Sequence, residues 1–400
     1  MERYDAVIVG ARCAGSTAAI ALARGGWDVL LIDRDEFPSD TVSTHGLWPN
    51  SLARLEELGV LQLMQSRHRI NFCAHRAHIL DHELVGELTP IAGHSRGAGP
   101  RRRVLDTALL DTAREAGAEA RLGEKVTALV GTGSDTDPVR GVVTEGGGEI
   151  EARWVLGADG RASTVAKALG LERENEKRGE MSMLYAYWTG LPENDVFHMD
   201  AQRHAVLNFY PVEDDISAII LSAPPEATRG DAETRRRTFL EGIREFPTTI
   251  AAEAFDEGEL VSEIQPVPET MLRGFYRRAA GPGWALIGDA GHFKHPSTAQ
   301  GISDAIEQGL YVANGLLGED PELERFEAWR DEGAGEHYDW SFTFASFPRD
   351  AGDVIFGALE RDPEAGQQFR DTLPRLAGPR SDCLTPERLE KWFAAAAAKA

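Results

Sequence analysis

The sequence predicts an α/β fold with an α+β part: a layer of alternating strands and helices, an inserted antiparallel sheet, and a helical C-terminus. Three observations carry this. Near the N-terminus, strand, glycine turn, helix, strand and acid follow one another within about 30 residues. From about Glu172, apolar runs succeed each other without helices between them. The last eighty or so residues space their apolar side chains as helices do.

Composition bounds the function. The chain has 400 residues, 42% hydrophobic and 27% charged, as expected of an ordered globular enzyme with ample core material. Lys and Arg number 42 against 65 Asp and Glu, a net charge of −23, which argues against a nucleic-acid partner. Cys13, Cys73 and Cys383 lie far apart, which fits a reducing compartment and neither a disulfide framework nor a Cys-based zinc site. The start, Met1-Glu2-Arg3-Tyr4-Asp5, carries no signal-peptide pattern, and no apolar run approaches the roughly 18 residues of a membrane span. The expectation is a cytoplasmic protein with a small-molecule substrate; the oligomeric state stays open.

Ala6–Val9 reads as a buried parallel strand ending at Gly10. The turn Gly10-Ala11-Arg12-Cys13-Ala14-Gly15 leads into a helix of small residues, and Val29–Ile32 forms the second strand, closed by Asp33-Arg34. This is the order of a Rossmann-like dinucleotide-binding unit. Gly10 makes the tight turn, Gly15 lets helix and strand approach, and Asp33 is placed to accept bonds from ribose hydroxyls. The middle glycine of the usual fingerprint is Arg12, which either projects outward or touches a phosphate. The loop from Phe37 to Asn50 holds His45, read equally as a polar loop residue or a neighbour of the cofactor. His75, His78 and His82 lack acidic or Cys partners at recognisable zinc spacing, so no metal is expected.

Arg101-Arg102-Arg103 opens a helix that ends at Gly117, where three cations oppose the helix dipole unless a bound phosphate explains them. Short strands are expected at Ala118–Leu122, Val126–Val130, Val139–Thr144 and Ile150–Arg153, then a further strand Trp154–Gly157 ending in Ala158-Asp159-Gly160-Arg161. Strands at Met181–Leu191, Ala205–Val212 and Ile216–Ala223 in meander order, with a helix Asp231–Phe246, form the inserted layer. Alternation puts Tyr185 and Tyr187 on one face and Trp188 on the other. Either set faces a ligand, with core packing as the alternative for each. In the C-terminal segment Leu389, Trp392 and Phe393 form a small apolar patch, read as docking on the body.

The last informative stretch is Trp284-Ala285-Leu286-Ile287-Gly288-Asp289-Ala290, continuing to Pro296 and Gln300-Gly301-Ile302. It reads as a buried strand, a loop and a helix whose free N–H groups and positive end point at a site.

In order along the chain, the Gly10–Gly15 turn, Ala158-Asp159-Gly160 and Gly288-Asp289-Ala290 through Gly301 resemble those of the p-hydroxybenzoate hydroxylase-like FAD-dependent monooxygenases. They are similar also to the related geranylgeranyl reductase-like flavoproteins. The resemblance spans roughly residues 1–320. It implies FAD as cofactor and NAD(P)H as reductant, without a separate nicotinamide domain. It implies an FAD-binding domain at 1–70, 98–172 and 262–320, a substrate-binding domain at 71–97 and 173–261, and a C-terminal helical region at 321–400. By resemblance, Gly10, Arg12, Cys13, Ala14 and Gly15 lie at the pyrophosphate, Asp33 and Arg34 at the ribose, and Arg102 at the nucleotide. Val126 offers backbone to adenine, and Asp159 serves both FAD and reduced nicotinamide. Asp289 lies on the ribityl-phosphate side, and Gly301 and Ile302 meet the flavin ring. Tyr185, Tyr187, His45 and Pro296 are the substrate candidates.

The family pattern Gly-Asp-Ala-Ala-His here has Gly291 after Ala290, and His295 precedes the proline; no Trp-x-Trp-x-Ile halogenase stretch occurs. The implied activity is oxygen insertion into a small aromatic or polyketide-like compound of secondary metabolism. Reduction of carbon–carbon double bonds and a non-redox use of FAD are the alternatives.

Overall fold

Glu2–Val9 lies between two parallel neighbours, Val29–Asp33 and Glu149–Gly157. Where it is covered on both faces such a strand must be apolar, and Ala6, Val7, Ile8 and Val9 are all buried, whereas Glu2 to Asp5 are exposed or half-buried. These features belong to a computed structural model that describes residues 2–398 apart from 193, 247, 248, 250, 251 and 347–349. The first sheet runs Ala280–Gly281, Trp284–Leu286, Glu149–Gly157, Glu2–Val9, Val29–Asp33, Glu119–Leu122. Its parallel strands send Gly10, Asp33, Ala158 and the chain after Leu286 to one edge, where such sheets place their ligands.

The small residues of helix Cys13–Arg24 have a packing reason. This helix lies against helices Arg102–Glu115 and Gly301–Asn314. A Cβ at Gly309 would sit 2.7 Å from the Ala14 carbonyl oxygen, so larger side chains would part the helices.

One expectation is corrected here. Ile150–Arg153 and Trp154–Gly157 are a single strand, Glu149–Gly157. Its first half alternates buried and exposed while its second half is buried throughout, so one strand carries two hydrophobic patterns. The half that alternates pairs antiparallel with the hairpin strand Gly141–Thr144.

The second sheet runs Glu259–Leu260, Ser182–Thr189, Ile216–Ala223, Val206–Pro211, Val196–Ala201, Phe72–Ile79, His82–Gly86. Ser182–Thr189 pairs with Ile216–Ala223, so the meander order is interrupted. The strand Val196–Ala201, masked in sequence by His198 and Asp200, pairs parallel with Phe72–Ile79 in an otherwise antiparallel sheet. Gln265–Val267 also joins this sheet, beside Ser182–Thr189. Helix Ala232–Ile243, capped by Asp231 accepting the Thr234 N–H, covers one face. There it meets Leu184, Ala186 and Trp188, with Trp188 stacked on Phe239 at 6.0 Å. The opposite face meets C-terminal helices, among them Phe326–Phe344 and Pro363–Asp371, through Met181, Ala201 and Val206 against Trp340, Leu359 and Phe369. Trp392 packs on this cluster, whereas Phe393 stays exposed.

His78 and His82 each find their own carboxylates, Asp200 for the first and Asp353 and Glu360 for the second. Among the described residues there is no group of three or more potential metal ligands, and no helix is long and apolar enough to cross a membrane.

Candidate active site

Gly10 has φ +107°, and a Cβ there would lie 2.4 Å from the Ala158 carbonyl oxygen. A Cβ on Gly15 would lie 1.9 Å from the Gly10 oxygen. Only glycine at both positions allows the turn to close against the helix start. The first N–H groups of helix Cys13–Arg24 are thereby presented at the sheet edge.

Asp33 accepts the Ala11 N–H at 2.7 Å and the Asp35 N–H at 2.9 Å, so it ties the turn to the second strand. Arg12 points to neither bulk water nor a lone phosphate site: its guanidinium binds Asp106 at 2.8 Å and Asp35 at 3.2 Å. Asp106 is fully buried and also receives Arg102 at 2.9 Å and the Cys13 thiol at 3.3 Å. Burial works against the Arg102 charge, but Asp106, together with Cys13 and Asp289, outweighs it and raises its pKa. The arginine run divides: Arg101 pairs with buried Glu213 in the turn between Val206–Pro211 and Ile216–Ala223, Arg102 faces the cleft, and Arg103 is exposed. One phosphate for all three is therefore excluded.

Asp159 Oδ2 accepts the Thr164 N–H at 2.6 Å, while Oδ1 is buried with no hydrogen-bond partner among the described residues. Burial raises this carboxyl's pKa. Burial likewise pushes Asp289 up, opposed by Arg161 and Arg102. Helix Gly301–Asn314 aims its N-terminus at the same space, with no side chain capping it.

These groups meet in one cavity of about 410 Å³. Its walls include Gly10, Arg12, Cys13, Ala14, Asp33 and Arg34 at one end, with Val126 and Arg102 alongside. Asp159, Asp289, Pro296, Gly301 and Ile302 line the rest, whereas Gly15 lies outside the wall. Arg12, Arg34, Arg102, Lys125, Arg161 and Lys294 bring six cations to these walls, against five acids. In a chain of net charge −23, that local balance suits a doubly charged diphosphate.

A second cavity, about 330 Å³, adjoins the first at Thr44, Pro296 and Ala299, which line both. The second sheet supplies Met181, Met183, Phe197 and Tyr210, and the C-terminal helices supply Trp340, Phe356 and Phe369. Tyr185 and Tyr187 share the face of Met183 but line neither cavity. They stand further along the strand, so the methionines take the places expected of the tyrosines. Tyr187 instead shares a 2.6 Å hydrogen bond with His45 Nε2. His45 is buried, lines neither cavity, and its pKa is pushed down to about 3, first by burial and then by Arg102 and Arg101.

Sequence reasoning missed Asp106, Lys294 and the C-terminal wall. Asp106 had a signal, its position four residues after Arg102 on one helix face. Lys294 is buried and binds Asp304 at 2.8 Å and Gln300 at 3.1 Å. Burial, then Arg375, drives its pKa well below the usual lysine value.

Residues 3–319 match the family described as FAD binding domain. The chain belongs to that family. It is an FAD-dependent oxidoreductase, and the cleft fits its cofactor: the Cβ-free turn, the basic wall and the uncapped start of helix Gly301–Asn314 are what a diphosphate requires. This flavoprotein is 28% identical to the menaquinone reductase of Mycolicibacterium smegmatis over 319 residues, 78% of this chain and 76% of that one. It is also 28% identical to the 6-methylpretetramide 4-monooxygenase of Streptomyces rimosus, over 76% of this chain and 73% of the relative. In fold it resembles p-nitrophenol 4-monooxygenase PnpA from Pseudomonas putida DLL-E4, with TM-score 0.78 and 19% identity over 95% of this chain and all of that one. The flavin-dependent brominase Bmp2 superposes with TM-score 0.76 at 18% identity, covering 99% of each chain.

Proposed function

We propose that this flavoprotein is an NAD(P)H- and O2-dependent monooxygenase that hydroxylates or epoxidises a small aromatic or polyketide-like substrate. The observation that carries the reading is the apolar cavity meeting the cofactor cleft at Thr44, Pro296 and Ala299. A substrate there would lie in a dry space beside the helix Gly301–Asn314 end of the cleft. When bound, FAD supplies the electron transfer and oxygen activation that no side chain provides. The chain's own groups would bind and orient it: Arg102, held charged by Asp106, would face the diphosphate, and the Cys13–Arg24 helix start would offer it N–H groups. Asp33 and Asp159 would offer acceptors to hydroxyls. The N-terminus of helix Gly301–Asn314 would favour negative charge on a ring placed beside it. Residues 1–70, 98–172 and 262–320 are assigned to cofactor binding and 71–97 with 173–261 to substrate binding. The pairing of Gln265–Val267 with Ser182–Thr189 supports moving the last boundary past Val267. Residues 321–400 complete the substrate cavity.

The relative that acts as 6-methylpretetramide 4-monooxygenase supports oxygen insertion. Similarity to a menaquinone reductase supports a second reading, a flavin-dependent reductase, for which we take a carbon–carbon double bond as the target. The test is NADH and NADPH oxidation by the holoenzyme with a panel of hydroxylated polycyclic aromatics under labelled O2. Label in the product supports the monooxygenase; product formed without oxygen supports the reductase.

A further inference from the structure

Resting on that reading, we propose that the apolar cavity takes neutral, hydroxylated fused-ring aromatics and excludes carboxylates, with His75 as the polar anchor of the ligand hydroxyl. The cavity has a one-sided chemistry. Among the described residues that line it, none is Lys, Arg, Asp or Glu. Its sheet side carries Met181, Met183, Met199 and Phe197, and its helix side carries Trp340 and Phe356. Flat polarisable walls of this kind suit aromatic rings, and thioethers adapt to their edges. A carboxylate placed here would lose its hydration and touch no cation on the lining.

His75 breaks the apolar pattern. Alternation along Phe72–Ile79 buries Cys73, His75, Ala77 and Ile79 together, and the strand spends one of those four inward positions on an imidazole. Its ring is 4% exposed and lines the cavity, framed by Trp48 edge-on at 6.0 Å and Phe197 stacked at 6.4 Å. Nδ1 is closed off from the cavity, and Nε2, which has no hydrogen-bond partner among the described residues either, is the nitrogen a ligand can reach. The ring sits in two aromatic contacts yet lacks the polar partner that buried imidazoles keep. A ligand hydroxyl supplies that partner. Burial, then Arg370 and His198, pushes the His75 pKa down to about 3, so the ring is neutral at pH 7 and offers a carboxylate no charge. Two other polar groups of the wall are engaged: the Tyr210 hydroxyl donates to the Thr44 carbonyl at 2.5 Å, and the Thr298 hydroxyl donates to Gln300 at 3.3 Å; Asn208 and Ser222 also line the cavity from the sheet side.

The experiment is calorimetric titration of the oxidised holoenzyme at pH 7 with naphthalene, 1-naphthol and 1-naphthoate. In the wild type, 1-naphthol should bind about tenfold more tightly than naphthalene, the value of one hydrogen bond that closes an unsatisfied site. 1-Naphthoate should bind more weakly than 1-naphthol by more than about thirtyfold. His75→Phe should erase the advantage of 1-naphthol over naphthalene while leaving naphthalene bound. His75→Gln, which returns an amide near Nε2, should restore it to within about threefold. Equal binding of 1-naphthoate and 1-naphthol overturns the neutral class, as does failure of all three probes to bind. An intact 1-naphthol advantage in His75→Phe overturns the anchor. The wild-type comparison stands even if a variant misfolds. Failure of the monooxygenase reading shows separately, as labelled oxygen absent from every product while these affinities hold.

Discussion

Replacing Asp33 by Ala separates two roles that the structure gives one carboxylate. Asp33 is 7% exposed and already accepts two backbone N–H groups, from Ala11 and Asp35, while its remaining lone pairs face the cleft. Toward a cofactor, losing hydrogen bonds to a charged acceptor costs about 1.5–3 kcal/mol, or roughly ten- to a hundredfold in Kd. Within the protein, the buried Ala11 N–H loses its partner at a cost of about 1–3 kcal/mol to the apoprotein. The assay that divides them is flavin-fluorescence titration of apoprotein with FAD and with FMN, which has a phosphate but no adenosine ribose. Asp33→Ala should weaken FAD more than FMN by about tenfold or more, with a folded circular dichroism spectrum. Equal losses for both flavins would mean that Asp33 acts only by holding the turn, and the ribose contact would be wrong. Unchanged FAD affinity would remove it from the site.

Other expected outcomes are sharper in sign than in size. Gly15→Ala forces a Cβ to within 1.9 Å of the Gly10 oxygen, so the turn must move, and flavin content on purification should fall far below that of wild type. Tyr187→Phe removes the one partner that His45 Nε2 has among the described residues, and urea unfolding should show a loss of about 1–2 kcal/mol; a cofactor affinity that dropped as well would place Tyr187 in the cleft after all. His45, His75 and His295 are buried, and burial pushes each folded pKa down to about 3. A lowered folded value means that the unfolded chain binds the proton first. Stability is therefore complete above pH 6.5 and falls as pH drops toward 3, by about 1.4 kcal/mol per unit for each ring. His295→Gln should flatten that slope between pH 6 and 4, and an unchanged slope would show that the ring is not buried neutral.

The sequence by itself determined the features that neighbouring residues decide. Gly10 through Gly15 must be a tight turn before a helix, and Asp33, Asp159 and Asp289 follow apolar strands whose ends a parallel sheet gathers at one edge. The hydrophobic pattern needs no distant partner to say so. Alternation likewise separated Tyr185 and Tyr187 from Trp188, since the side-chain period of a strand is two. It could not say how far along the strand the cavity lies, and the structure gives that place to Met181 and Met183. Only tertiary structure divided Arg101, Arg102 and Arg103. Successive residues on a helix point about 100° apart, and Glu213 and Asp106, far away in sequence, settle which guanidinium meets which acid. The same holds for the C-terminal helices that wall the apolar cavity and for His75. Their apolar spacing shows that each helix buries a face, and the inward position of His75 shows that its ring is covered. What covers them depends on contacts hundreds of residues apart, and those are set by packing of whole layers, which no local period encodes.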